Sequence, residues 1–137
     1  MSGRSFFDTN VLVYSDDKAF PAKQRRAVQL LQEHLRAGTG ALSLQVLQEY
    51  FVTATRKLGL DAVSARRKVE LFAKFTVAKP EFSDVLAAID LHRLHGFSFW
   101  DALIIRTAKQ AGCAILLSED FQHLRDIDGL TVVNPFA

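Results

Sequence analysis

A chain of 137 residues makes one ordinary domain that buries about two-thirds of its unfolded surface, so neither disulfides nor a structural metal are needed for folding. Hydrophobic residues make up 49% and charged residues 23%, a globular balance, and no apolar run reaches the roughly 18 residues of a membrane span. A net charge of +2 is too mild to identify a nucleic-acid partner, so the distribution of charge has to carry that question.

In chain order, the opening "MSGRSFFD" lacks an apolar core followed by a small-residue cleavage site, which predicts a protein that is not exported. Residues 4 to 8 read as a short buried strand, and a short helix follows directly through Tyr14. Pro21 opens a second helix in which Val28, Leu31 and Leu35 recur at i, i+3 and i+7, with Gly38 and Gly40 ending it. "GALS" predicts a second strand whose Ser43 caps the next helix. In that third helix Leu44, Leu47, Phe51, Ala54 and Leu58 form the apolar stripe, and Gly59 stops it. Asp61 caps a fourth helix with Ala62, Ala65, Val69 and Phe72 on one face, and "FTVA" is a brief strand. Pro80 and Glu81 begin a fifth helix through His95, closed by Gly96, and "SFWDALIIRTAKQAG" is the sixth. "CAILLS" is expected to be the most buried strand; its Cys113 has no intrachain partner, which suits a reducing cytoplasm. A turn or short helix at 121 to 124 and a last strand, "LTVV" at 130 to 133, complete the pattern.

Strands separated by helices predict a single α/β domain over residues 1–137 with a mainly parallel sheet, because parallel strands need crossover connections. Ligands of such sheets bind beyond the carboxyl ends of the strands, where Asp8 and Asp120 fall.

Four carboxylates sit in or beside apolar stretches: Asp8 in "FFDTNVL", Glu49 in "LQVLQEYFV", Asp101 in "FSFWDALII" and Asp120 in "ILLSEDF". An isolated buried carboxylate costs several kcal/mol, roughly, or takes up a proton, so each needs a compensating partner. Helix capping is one reading for three of them: Asp8 ahead of Thr9, Asp120 ahead of the turn at 121 to 124, and Asp101 in an S-x-x-D box with Ser98. Glu49 lies in mid-helix, where one reading is a partly exposed glutamate paired with a Lys or Arg, although its i+4 position is Thr53, not a base.

Convergence at one sheet edge is the alternative reading, and four adjacent carboxylates would then repel unless a cation neutralised them. Oxygen ligands favour Mg²⁺ or Mn²⁺, which bind through a few carboxylates plus phosphate oxygens; a zinc site would call for His or Cys. Such an ion activates water for in-line attack on a phosphodiester. Setting these four aside from the 15 acids leaves 11 against 17 basic residues, a periphery suited to a polyanion. Basic clusters lie at Lys23, Arg25 and Arg26, at Arg56 and Lys57, and at Arg66, Arg67 and Lys68, though the last also reads as a solvated helix face.

His92 and His95 at i, i+3 sit at a helix end, where histidine complements the dipole, in preference to a metal site. Trp100 reads either as core packing beside Phe97 and Phe99 or as a platform for an RNA base. Asp126 and Asp128 in "RDIDG" read as a solvated turn. Ser43, Ser98 and Ser118 lack a G-x-S-x-G elbow, and no phosphate-binding glycine loop is present.

The ordered set "FFDTNVLVY", a Glu inside the third helix, "FSFWDALI" and "LLSEDF" resembles the PIN-domain ribonucleases, in particular the VapC toxins of bacterial toxin–antitoxin pairs, over essentially the whole chain. The resemblance implies an α/β/α sandwich around a parallel sheet, Mg²⁺- or Mn²⁺-dependent endoribonuclease activity, inhibition by a VapB-type antitoxin, and a homodimer. Position by position it implies that Asp8, Glu49, Asp101 and Asp120 are the acidic quartet, with Asn10 and Ser118 orienting ligands or contacting phosphate. Adjacent Glu119 competes with Asp120 for the fourth place, and the number of ions, with Glu49 on a second ion or on the water, stays open. A PIN-like module that binds RNA or protein without cleavage, and a DNA-directed nuclease of the same fold, are the other readings.

Overall fold

The computed structural model describes residues 3–137, so Met1 and Ser2 of the opening segment lie outside the described residues. Within these the elements run β1 (Arg4–Phe7), α1 (Thr9–Tyr14), α2 (Pro21–Ala37), β2 (Gly40–Ser43), α3 (Leu44–Arg56), α4 (Ala62–Phe72), β3 (Thr76–Ala78), α5 (Phe82–His95), α6 (Phe99–Gln110), β4 (Cys113–Leu117), β5 (Asp126–Ile127) and β6 (Leu130–Val133). The strands form one sheet in the order β3-β2-β1-β4-β6-β5, parallel throughout except for the β5–β6 pair. α1 to α4 are met on the way from β1 to β3, and α5 and α6 on the return to β4, so right-handed crossovers, the rule for parallel strands, set the two groups on opposite faces. The result is the expected three-layer α/β/α sandwich.

β1 lies mid-sheet with both edges paired to β2 and β4, and the helix layers cover its two faces, so Phe6 and Phe7 are fully buried. β2, not β4, is the most buried strand: all four of its residues are buried, whereas Ala114 in β4 is exposed. A register shift between Arg4 and Ser5 accompanies the open start of β4. Cys113 is a buried thiol in that strand, as expected, and burial raises its pKa to about 11. Gly40 is required by close approach, since a Cβ there would overlap the Phe75 ring.

Two helix faces differ from the sequence pattern. α2 buries Ala27, Leu30 and Leu31, leaving Leu35 exposed, and α3 buries Val46, Leu47, Tyr50 and Ala54, leaving Leu44 exposed. One residue turns a helix by about 100°, so a stripe counted from a neighbouring leucine points to the helix flank. Small Ala27 and Ala54 sit inside because they let the helix approach the sheet closely.

The S-x-x-D box at the start of α6 forms by half: the Asp101 N–H donates to Ser98 Oγ at 3.1 Å. Asp84 does more at the start of α5. It accepts from the Glu81 N–H at 2.8 Å and from Arg106 Nε of α6 at 2.8 Å, with its side chain 6% exposed. These two donors, the backbone N–H first, hold the Asp84 carboxyl below its usual range. Its contribution to stability is therefore present above the ordinary carboxylate range and lost as acid titrates the folded-state group. Asp84→Ala should lower stability at pH 7 by about 2–3 kcal/mol, because a helix cap and a charge-assisted bond disappear together. Urea midpoints will measure this, with the difference shrinking at acid pH.

The "RDIDG" segment is a turn, as read, and also closes a hairpin that sequence patterning missed. Asp128 and Gly129 both take positive φ, 51° and 92°, as a type I′ turn requires, which lets β5 add antiparallel to β6. Residues 121 to 124 form a turn and no helix. No helix among the described residues is long and apolar enough to cross a membrane.

Candidate active site at the carboxyl edge of the sheet

The chain steps from β1 to β2 and β3 in one direction and then returns to β4 on the other side of β1. This reversal opens a crevice beyond the carboxyl ends of β1 and β4, the usual ligand position in such sheets. Asp8 follows β1 at that point, and its N–H donates to the Leu117 carbonyl at the end of β4 at 3.0 Å. As expected it caps α1, with Oδ1 accepting from the Thr9 N–H at 2.8 Å. Oδ2 accepts from Ser118 Oγ at 2.7 Å. Asp8 is only 5% exposed, and burial raises its pKa to about 7, despite the Ser118 and Thr9 hydrogen bonds that pull it down; Asp120 and Glu49 push it further up.

Glu49 lies in the second turn of α3, which begins directly at the end of β2. Thr9 Oγ1 donates to its Oε1 at 2.6 Å and Gln45 Nε2 to its Oε2 at 3.2 Å. The same Gln45 amide reaches the Trp100 carbonyl at 3.3 Å, tying α3 to the start of α6. Its Oε1 is then buried with no donor, an unsatisfied oxygen at the same edge. Asp101 projects from the first turn of α6, half-buried. Burial raises its carboxyl above the usual range, the Ser98 hydroxyl offsets this, and Asp120 and Glu49 add to it.

Asp120 is exposed and does not cap the turn after it. Its Oδ2 accepts from Asn10 Nδ2 at 3.0 Å while its N–H donates to Ser118 Oγ at 3.1 Å. Asn10 Nδ2 also reaches Ser118 Oγ at 3.2 Å, and its Oδ1 accepts from the Glu119 N–H at 3.3 Å. Asn10 and Ser118 thus bridge the carboxylates after β1 and β4. Neighbouring Glu119 points elsewhere: Tyr14 Oη donates to it at 2.6 Å and Lys23 Nζ at 3.0 Å. Those bonds engage both of its oxygens.

Asp8, Glu49, Asp101 and Asp120 therefore share one edge, and the charges of Glu49 and Asp120 bear on both Asp8 and Asp101. Among the described residues no three His, Cys, Asp or Glu side chains stand close enough together to enclose an ion. The acids form an open group of oxygen donors, not a closed cage.

Several supporting side chains escaped sequence reasoning. Thr9 was visible in "DTN", but its bond to Glu49 spans 40 positions, and the Gln45 bridge to Trp100 spans 55. Lys23 read as part of a basic cluster, yet it pairs with Glu119 and lies 4.6 Å from the Tyr14 ring centre. Lys68 likewise pairs with Asp16 at 3.1 Å. His92 bonds the Phe97 carbonyl at 2.5 Å, as a helix-end residue does. Trp100 is 60% exposed, which overturns its core-packing reading.

The family profile of the PIN domain matches residues 5–130. This chain belongs to the PIN domain family. Among solved structures, this PIN domain is similar to a toxin–antitoxin complex from Klebsiella pneumoniae, at 22% identity and TM-score 0.69, covering 96% of this chain and 97% of the other. It is also similar to the sarcin-ricin loop cleaving toxin VapC20 of Mycobacterium tuberculosis, at 21% identity and TM-score 0.65, over 85% and 91% of the two chains. A third, PAE2754 from Pyrobaculum aerophilum, shares 18% identity and TM-score 0.62 over 97% and 91%. At these identities the likeness is one of fold. No curated protein sequence matches this PIN domain.

Proposed function

We propose that this PIN domain is a metal-dependent endoribonuclease and the toxin of a VapBC-type toxin–antitoxin pair. The observation that carries the reading is the group of four carboxylates at the β1/β4 switch point, where burial first, and then the charges of Asp120 and Glu49, raise the carboxyls of Asp8 and Asp101. A hard divalent cation relieves that repulsion. The residues fit Mg²⁺ or Mn²⁺: every donor is an oxygen, Gln45 Oε1 is unsatisfied, and such ions need only one or two carboxylates and keep several waters.

In this reading Asp8, Asp101 and Asp120 hold the ion, and Glu49 holds a second ion or the attacking water. An ion held by these residues would supply Lewis acidity toward a water and toward the departing phosphodiester oxygen. The chain supplies position. Ser118 and the Thr9 N–H fix the Asp8 carboxylate, the Thr9 hydroxyl fixes Glu49, and Asn10 holds Asp120 toward the same edge. Asp120 is the fourth acid in preference to Glu119, which is engaged by Tyr14 and Lys23.

The antitoxin partner is supported by a cavity of about 590 Å³ between α3 and α4, lined by Leu47, Phe51, Val52 and Val69 with Arg66 at its edge. The Klebsiella neighbour is itself a toxin–antitoxin complex.

Incubation with cellular RNA in Mg²⁺ should yield discrete fragments, abolished by EDTA and restored by Mn²⁺. Cleavage that persists in EDTA would exclude the metal mechanism. Cleavage of DNA alone would redirect the substrate, and binding without any cleavage would favour a non-catalytic module. A hundredfold excess of Mg²⁺ over its dissociation constant should raise stability by about 2.7 kcal/mol in a thermal-shift series.

A further inference from the structure

A cavity of about 320 Å³ opens beside the carboxylates, sharing Thr9, Asn10 and Asp120 with them. Away from the acids its wall is Val13, Tyr14, Phe20, Thr53 and Lys57. With Asp17 and Glu119, which also line it, the wall combines two aromatic rings and a lysine with carboxylates.

Its remaining acids are already satisfied within the chain. Asp17 is 7% exposed and accepts from the Ala19 N–H at 3.1 Å, while Glu119 is paired with Lys23 and Tyr14. Lys57, at the carboxyl end of α3, is exposed and forms no ion pair among the described residues. Lys57 is therefore the lysine of this wall that no carboxylate among the described residues holds at ion-pair distance.

The rings are held in place. Tyr14 packs edge-on against Phe20 at 5.7 Å and against Phe136 at 4.9 Å, and its hydroxyl is anchored on Glu119. Phe20 remains 48% exposed where it borders the cavity. An exposed aromatic on a braced corner, in a cavity that Lys57 also lines, matches what a single unpaired nucleotide requires: a flat face for the base and a cation for the phosphate. Base-paired RNA would keep its bases stacked inside the helix and out of reach of Phe20.

We infer that this cavity is a nucleotide subsite flanking the cleaved bond, where one unpaired nucleotide of the RNA stacks its base on Phe20 and places its phosphate on Lys57. The inference rests on the nuclease reading for its substrate class, and binding can test it apart from cleavage.

The test titrates a fluorescent single-stranded RNA oligonucleotide into the full chain in EDTA. Phe20→Ala should weaken binding about tenfold, within the range for loss of one stacked base, and Phe20→Tyr should recover most of it. Lys57→Gln should weaken binding and reduce the slope of log affinity against log salt by about 0.7. Phe82→Ala, an exposed aromatic outside the cavity, should leave affinity unchanged. In Mg²⁺, Phe20→Ala and Lys57→Gln should raise KM more than they lower kcat. Wild-type affinity and salt slope in Phe20→Ala and Lys57→Gln would overturn the subsite, and if wild type still cleaves RNA the nuclease reading would survive. Oligonucleotide binding lost with Phe20 but no cleavage by wild type would support the cavity and sink the nuclease.

Discussion

Asp101→Asn should reduce RNA cleavage on the order of a thousandfold, equivalent to about 4 kcal/mol of transition-state stabilisation, while the fold stays intact. The substitution is isosteric, and Asp101 forms no ion pair among the described residues. Its backbone N–H already takes the Ser98 cap, which the asparagine variant keeps. Unfolding midpoints in EDTA should therefore match or exceed wild type, because burial and the charges of Asp120 and Glu49 already disfavour the ionised carboxyl. Asp90→Asn removes an exposed carboxylate paired only with Arg93 on the same helix, so its cleavage rate should match wild type. A proposed ion-holding carboxylate is thereby separated from an ordinary surface acid. Near wild-type cleavage by Asp101→Asn would remove this residue from the proposed centre.

The opposite balance is expected at Asp8, where the acid itself is the structural burden. Its folded-state pKa of about 7 lies above the ordinary value of 3.8, so the folded protein binds a proton that the unfolded chain releases. Stability from this group is fully present below the unfolded value and is lost as pH rises from near 4 through 7. At pH 8 in EDTA, the ionised carboxylate costs on the order of 4 kcal/mol. Asp8→Asn removes that charge and leaves an amide with imperfect partners, for a net gain of about 1–3 kcal/mol. The melting point in EDTA should rise accordingly at pH 8, and the two proteins should converge at pH 5. Added Mg²⁺ should stabilise wild type and leave the variant nearly unmoved. A variant that melts lower than wild type in EDTA at pH 8 would mean that the carboxylate serves the fold.

Together these expected outcomes would describe a site kept at the expense of stability. Ser118 and the Thr9 N–H lower the penalty on Asp8 without cancelling it.

Much of this was legible along the chain because the signals are local. Asp8, Ser43, Asp61 and Ser98 cap helices whose first turns lie within three residues, and Gly38 and Gly96 end α2 and α5 with φ near 70° and 75°. Alternation of helix and strand sufficed for the parallel sheet, since few other folds satisfy crossover connections. Four acids in apolar surroundings stood out for the same reason: each conflicts with its immediate neighbours. Where the signal was not local, patterning failed. The inner faces of α2 and α3, the burial of β4 and the exposure of Trp100 depend on which element packs against which.

By itself, then, the sequence determined the α/β alternation, the helix caps, the PIN resemblance and the four candidate acids. Only the tertiary structure decided that Glu119 is engaged by Tyr14 and Lys23 while Asp120 turns to Asn10. It also set Thr9 and Gln45 against Glu49, and placed Lys57, without an ion pair among the described residues, in a cavity that Phe20 also lines. The physical reason is distance along the chain. Capping and periodicity act within a turn of helix, whereas hydrogen bonds and charges act through space between residues that only the folded sheet brings together.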